Sequence, residues 1–193
     1  MTQLRFAKED MEAAVNCLRN GGILLYPCDT VWGIGCDSAN DEAVRRIFAI
    51  KRRAEAKAMI SLVADEAMLE RFTDGLPEVA FELVEQAVDP ITLVVDHPHG
   101  LAQSLLAPDG SAGLRVTAEI FSRELCRRLR RPLVSTSANI SGEPTPRFFH
   151  EISDEIIKQM DYVVQYRRDD TTPRKSSSVI KISDDSSFKI LRK

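Results

Sequence analysis

The chain has 193 residues, 26 of them Lys or Arg and 29 Asp or Glu, for a net charge of −3, with 44% hydrophobic and 28% charged residues. That length suits one domain with a sizeable core, and the composition is that of an ordinary soluble globular protein. No apolar run approaches a membrane span and Met1 to Asp10 lacks the apolar centre of a signal peptide, so a cytoplasmic protein with one domain over residues 1–193 and no membrane partner is expected.

In chain order, Glu9 to Asn20 places Met11, Ala14, Val15 and Leu18 at helical spacing, and Gly21-Gly22 reads as the stop. Ile23 to Tyr26 is a short buried strand that Pro27 ends in a loop running through CDTVWGIGCD. Asn40 or Asp41 caps a helix with Val44, Ile47 and Phe48 on one face, which closes in the basic knot KRRAEAK. A strand at Met59 to Val63, a helix at Asp65 to Phe72 and a helix from Pro77 through Val88 with Ala80, Leu83, Val84 and Ala87 inward come next. Ile91 to Val95 is the strongest strand, continuous and β-branched, and is expected at the centre of a sheet.

Beyond a turn-rich passage from Asp96 to Gly110, a strand at Gly113 to Val116 carries Arg115 between apolar neighbours, where a guanidinium must find an anion or a solvent gap. A helix over Ala118 to Leu129 and a strand at Leu133 to Ser135 lead into STSANISGEPTP, a loop whose hydroxyls, amides and backbone N–H groups suit phosphate or carboxylate oxygens. A helix around Ser153 to Met160, a strand at Tyr162 to Tyr166, a polar loop RRDDTTPRKSSS and a hairpin of Val179 to Ile182 with Phe188 to Leu191 complete the chain. Strands alternating with helices, then a hairpin, predict an α/β (mixed α+β) fold on a mixed sheet.

Eight acidic residues against Arg71 alone lie between Asp65 and Asp89, while cations cluster at Lys51-Arg52-Arg53 with Lys57, at Arg127 to Arg131, and at Arg167-Arg168 with Arg174-Lys175. An acidic chain with local basic clusters suits a compact anion better than a long nucleic acid. Cys17, Cys28, Cys36 and Cys126 form no Cys-x-x-Cys pair and have no histidine at zinc spacing, so free thiols and no metal site are expected. Neither a P-loop, a complete dinucleotide fingerprint, a G-x-S-x-G elbow nor an H-E-x-x-H pair occurs. What does occur is a set of loops following strands: Thr30 beside Asp29 and Trp32; Lys51, Arg53 and Lys57; Arg115; Ser135, Ser137 and Asn139; Ser176 to Ser178; and Arg192. Several cations with hydroxyl-rich loops match a polyphosphate.

Six segments in order, Pro27 to Gly35, Lys51-x-Arg53, Asp89-Pro90-Ile91-Thr92, Leu114-Arg115-Val116, Ser137-Ala138-Asn139-x-Ser141-Gly142 and Ser177-Ser178-Val179-Ile180, closely resemble the YrdC family over nearly the whole chain. The resemblance implies a twisted mixed α/β sheet around a concave, positively lined cleft. It also implies a threonylcarbamoyl-AMP synthase, a nucleotidyltransferase that makes an activated intermediate and pyrophosphate from L-threonine, bicarbonate and ATP with Mg²⁺, for a transferase complex that modifies tRNA. Because the chain ends soon after Arg192, the short form without an appended domain is expected. By position, Thr30, Arg115, Ser135 and Ser177 would meet threonine. Lys51, Arg53 and Lys57 would face the ATP phosphates, with Lys51 and Arg53 catalytic, and Ser111, Ser137, Asn139, Thr145 and Arg192 would line the rest of the nucleotide site.

The chain departs from the family pattern at Cys28-Asp29, where Thr-Glu is common, at Trp32 for Tyr, at Ala54 where proline follows the basic motif, and at Leu62, where some relatives carry histidine. Two other functions compete: an RNA-binding module on a basic concave surface without turnover, against which stand the acidity and the lack of interleaved aromatics, and a carbamoyl-transfer role, for which 193 residues leave no room for companion domains.

Overall fold

Helix α1 (Lys8–Arg19) buries Met11, Ala14, Val15 and Leu18, the stripe that its 3.6-residue period predicts. Gly21 then takes φ +77°, a left-handed turn that glycine adopts without steric cost. Asp10, also on the buried side, accepts hydrogen bonds from the Tyr162 hydroxyl at 2.7 Å and from the Gln165 and Tyr166 amides at 3.0 Å, which ties α1 to a segment near the other end of the chain. The computed structural model describes residues 6–53, 59–183 and 185–193; the expected ATP contact Lys57 lies outside the described residues.

Among the described residues one mixed sheet of nine strands organises the fold. The strands are β1 (Leu24–Tyr26), β2 (Gly33–Gly35), β3 (Ile60–Val63), β4 (Ile91–Val95), β5 (Ala112–Val116), β6 (Leu133–Ser137), β7 (Tyr162–Val163), β8 (Ser178–Ile182) and β9 (Phe188–Arg192), in the spatial order β7-β1-β2-β6-β3-β5-β4-β8-β9. Pairs β1/β7, β3/β5 and β4/β8 are parallel and the rest antiparallel. The helices are α1, α2 (Asp41–Ile50), α3 (Glu66–Arg71), α4 (Glu78–Glu85), α5 (Ile120–Leu129) and α6 (Asp154–Ile157). Four of them start on side-chain caps, where Asn40, Asp65, Glu119 and Ser153 accept from the amides of Ala43, Met68, Ser122 and Ile156. The core forms two apolar clusters, one built on Leu24, Leu62, Leu114 and Phe121, the other on Leu25, Ile34, Ile47 and Val134.

The structure corrects several expectations. Gly33–Gly35, expected in a loop, is a strand paired on both sides, to β1 and to β6. Glycine is depleted in strands, so propensity hides it. Its reason is tertiary: a Cβ on Gly35 would stand 2.1 Å from the Val134 carbonyl oxygen and 2.7 Å from the Tyr26 ring. Strand β4 is not central; β3 holds the middle place and β4 lies third from one edge. Its apolar run serves two purposes, Leu93 and Val95 in the core and Thr92 and Val94 on the wall of a cavity. Helix α4 ends at Glu85, short of the expected Val88, and buries only Ala80, leaving Leu83 and Val84 half-buried; beyond it Ala87 is half-buried and Val88 fully exposed. Strand β6 runs on to Ser137, whereas β7 and α6 are shorter than their sequence patterns suggest.

Candidate active site

A cavity of about 480 Å³ opens on one face of the sheet, within the range of ligand sites. Its floor follows from strand register. Gly33 pairs with Ser137, Ile60 with both Ser135 and Gly113, Gly113 with Val94, Thr92 with Val179 and Val179 with Arg192. Directly paired residues share a face, so one side of seven strands sets glycines, hydroxyls and arginines among Ile60, Val94 and Val179, where an ordinary core would be aliphatic throughout. Gly33 and Gly113 leave that floor bare; a Cβ on Gly113 would already press Ile60 at 3.0 Å and Thr92 at 3.4 Å.

The walls bring together most of the residues singled out in the sequence. Thr30, Arg53, Ser111, Arg115, Ser135, Ser137, Thr145, Ser177 and Arg192 all line this space, and no carboxylate does among the described residues. Arg115 stands in β5 with its side chain 3% exposed, and the anion it requires is Asp29 at 3.0 Å, itself 8% exposed. One guanidinium N–H also reaches the Cys28 sulfur at 3.1 Å. Burial pushes the Cys28 thiol up to about 11, so at neutral pH it is protonated and donates to Asp29 at 3.1 Å. Arg115 Nε is buried without a hydrogen-bond partner, an orphan donor on a wall of the cavity. The expected polar loop 167–178 also supplies structure: Arg167 pairs with Asp170 at 2.9 Å and Glu119 at 3.5 Å, and Ser177 is buried.

Ser177 Oγ lies 2.9 Å from Thr92 Oγ1, and Arg192 donates to the Ser177 carbonyl at 2.9 Å and to its hydroxyl at 3.3 Å. Both Ser176 and Ser177 line the cavity, but Ser177 carries this network. Ser111 donates to Asp109 at 2.6 Å. Arg53 reaches the cavity half-buried, directly after Arg52, which takes φ 48° and turns the chain out of α2. Thr92 and Gly113 had no site role in the sequence reading; the available signal was period two, which sets the one polar residue of ITLVV on the opposite face from Leu93.

Two expected nucleotide contacts point elsewhere. Lys51 is 1% exposed and donates to the Ser137 and Asn139 carbonyls, the second at 2.6 Å. Its own carbonyl accepts from the Ser141 amide at 2.9 Å, which closes the same staple from the other side. Lys51 therefore clamps the end of α2 to the 137–141 loop instead of facing phosphate. Asn139 is likewise turned inward: it accepts from Ser137 Oγ at 2.5 Å and donates to the Ile140 and Glu143 carbonyls at 3.0 and 2.8 Å. Both residues shape the loop that presents Ser137.

Burial, and secondarily Arg53, lower the Lys51 amine from 10.5 to about 8. Between those values the unfolded chain binds a proton that the folded chain does not, so this residue's contribution to stability rises with pH. The cost of the buried charge is present below about pH 8 and fades toward 10.5. In denaturant unfolding, the stability lost on Lys51→Met should therefore grow by up to about 1 kcal/mol per pH unit from pH 8 to 10. A pH-independent difference would remove the buried-charge assignment.

Residues 16–193 match the family model Sua5/YciO/YrdC, described as telomere recombination. The threonylcarbamoyl-AMP synthase of Pseudomonas aeruginosa is 35% identical over 154 residues, 76% of this chain and 83% of that protein. Among solved structures, E. coli YciO superposes with a TM-score of 0.83 at 24% identity, over 97% of this chain and 90% of that one. P. abyssi Sua5 complexed with L-threonine gives 0.82 at 24% identity, over 92% of this chain and 52% of that one. These two likenesses are of fold, and the chain spans about half the length of the P. abyssi protein.

Proposed function

The chain belongs to the Sua5/YciO/YrdC family, and from that premise we propose that it is a threonylcarbamoyl-AMP synthase, using L-threonine, bicarbonate and ATP to supply the threonylcarbamoyladenosine modification of tRNA. The observation that carries this reading is the cavity itself: Arg53, Arg115 and Arg192 among small hydroxyls, without a carboxylate among its described lining residues. Such a wall favours anionic ligands and places no like charge against them.

In the proposed reaction the threonine amine bonds to the carbon of bicarbonate and a water molecule leaves, giving a carbamate. A carbamate oxygen then bonds to the α-phosphorus of ATP, the bond to the bridging oxygen breaks, and pyrophosphate leaves. The protein has no covalent intermediate to form, so its contribution is positioning and charge neutralisation. Arg115, with its orphan Nε, together with Thr30 and Ser135 would receive the threonine carboxylate or carbamate, and Ser177 would close that side. Arg53 and Arg192 would face phosphate, with Ser111, Ser137 and Thr145 along the nucleotide. Mg²⁺ would enter with the nucleotide as part of the substrate, since the described walls offer it hydroxyls but no carboxylate. The product is a reactive mixed anhydride, which a tRNA-directed transferase would consume.

The test is pyrophosphate release by the purified chain. The proposal expects release only when threonine, bicarbonate and ATP are all present, with the acyl adenylate detected by mass spectrometry. Release that ignores threonine, or none under any condition, would reject it. The RNA-module reading fits the cavity less well, because Trp32 is the one aromatic residue among its described lining residues and stacking needs exposed rings.

A further inference from the structure

The sheet ends at β9, which pairs with β8 and has no strand beyond it among the described residues. All five residues of β9 are exposed, and Phe188, Ile190 and Leu191 are 53%, 48% and 51% exposed, three of the four large apolar side chains so placed among the described residues. A five-residue edge with open backbone groups and apolar side chains is a template for another strand.

A bulge between Val179 and Ile180 decides which way this strand faces. Val179 pairs with Arg192, and both line the cavity; past the bulge Ile180 pairs with Ile190 and Ile182 with Phe188. Ile180 and Ile182 belong to the buried core, so Ile190 and Phe188 continue that core face beyond the last covered strand. The alternate residue Lys189 pairs with Lys181 on the other face, and FKILRK holds three cations and no acidic side chain. The edge thus has an apolar side and a cationic side, one residue apart.

We infer that β9 is a docking edge for an extended acidic segment of a partner polypeptide, which adds to the sheet as a further strand with apolar and acidic residues in alternation. Its apolar residues cover Phe188 and Ile190, its carboxylates meet Lys189 on the other face, and its backbone takes up the open edge. Charge complementarity selects this occupant over a second copy of the chain, whose β9 carries the same cations and no carboxylate to meet Lys189. The inference does not depend on the proposed reaction.

Amide hydrogen exchange of the full chain tests it, with a synthetic peptide of about seven alternating valine and glutamate residues as the probe. Saturating peptide should slow exchange within β9 by roughly tenfold or more, with binding that weakens as salt is added. Ile190→Lys should remove the protection and Lys189→Glu should weaken binding by roughly tenfold. Both side chains are exposed, and unchanged thermal unfolding would establish that each variant folds. A valine and lysine peptide should not bind. Three results would overturn the inference: no protection by the acidic peptide, equal binding of the basic peptide, or protection that appears without peptide as the chain self-associates in sedimentation.

Discussion

Replacing Arg53 with alanine should reduce pyrophosphate release by roughly 10²–10³-fold, while thermal unfolding changes little. The basis is position: Arg53 enters the cavity from the turn after α2, where its amide donates to the Phe48 carbonyl at 3.0 Å and fixes the backbone that presents it. Lys51, two residues earlier, is committed to the Ser137 and Asn139 carbonyls, which leaves Arg53 as the cavity-facing cation of this described segment. Arg53→Lys separates the geometric share from the charge, since an ammonium keeps the charge but loses the planar fork. Steady-state release with all three substrates is the measurement, and near-normal turnover in Arg53→Ala would remove the residue from the reaction.

Removing the partner of the buried arginine should have the largest effect on stability. Asp29→Ala leaves the Arg115 guanidinium, 3% exposed, without the carboxylate at 3.0 Å, and an uncompensated buried charge costs about 3–5 kcal/mol. The Cys28 thiol is neutral at working pH and cannot replace that charge. Chemical denaturation of Asp29→Ala, Arg115→Met and the double variant tests the pairing. The double variant should be more stable than Asp29→Ala alone, because it no longer buries a lone charge. Strictly additive losses would mean that the two side chains do not stabilise each other. All three variants should also lose threonine-dependent turnover, since the pair holds Arg115 on the cavity wall.

Several parts of this arrangement are legible without coordinates. The helices α1, α2 and α5 announce themselves by apolar period and by caps or stops, and the terminal hairpin by two β-rich runs around a polar turn. The polar loop after β6, the cation at Arg53 and Thr30 in the loop after β1 stand out because hydroxyls and charges gathered where a strand or helix ends have no packing use. The order of six short segments carries the family resemblance, since spacing along the chain is itself a sequence property.

What the sequence determined alone was which residues are unusual for their surroundings: a strand arginine, serines at a strand end, glycines between apolar residues. What each one is for was decided by tertiary structure. Register puts Thr92, Gly113 and Ser135 on one bare face and Leu93 on the other, and close strand approach makes Gly35 a strand residue. The fold sets Asp29 against Arg115 and turns Lys51 toward two carbonyls while Arg53 faces the cavity. The reason is that a charged side chain answers to whatever the folded chain brings within about 4 Å of it, and partners far apart in sequence leave no local pattern to read.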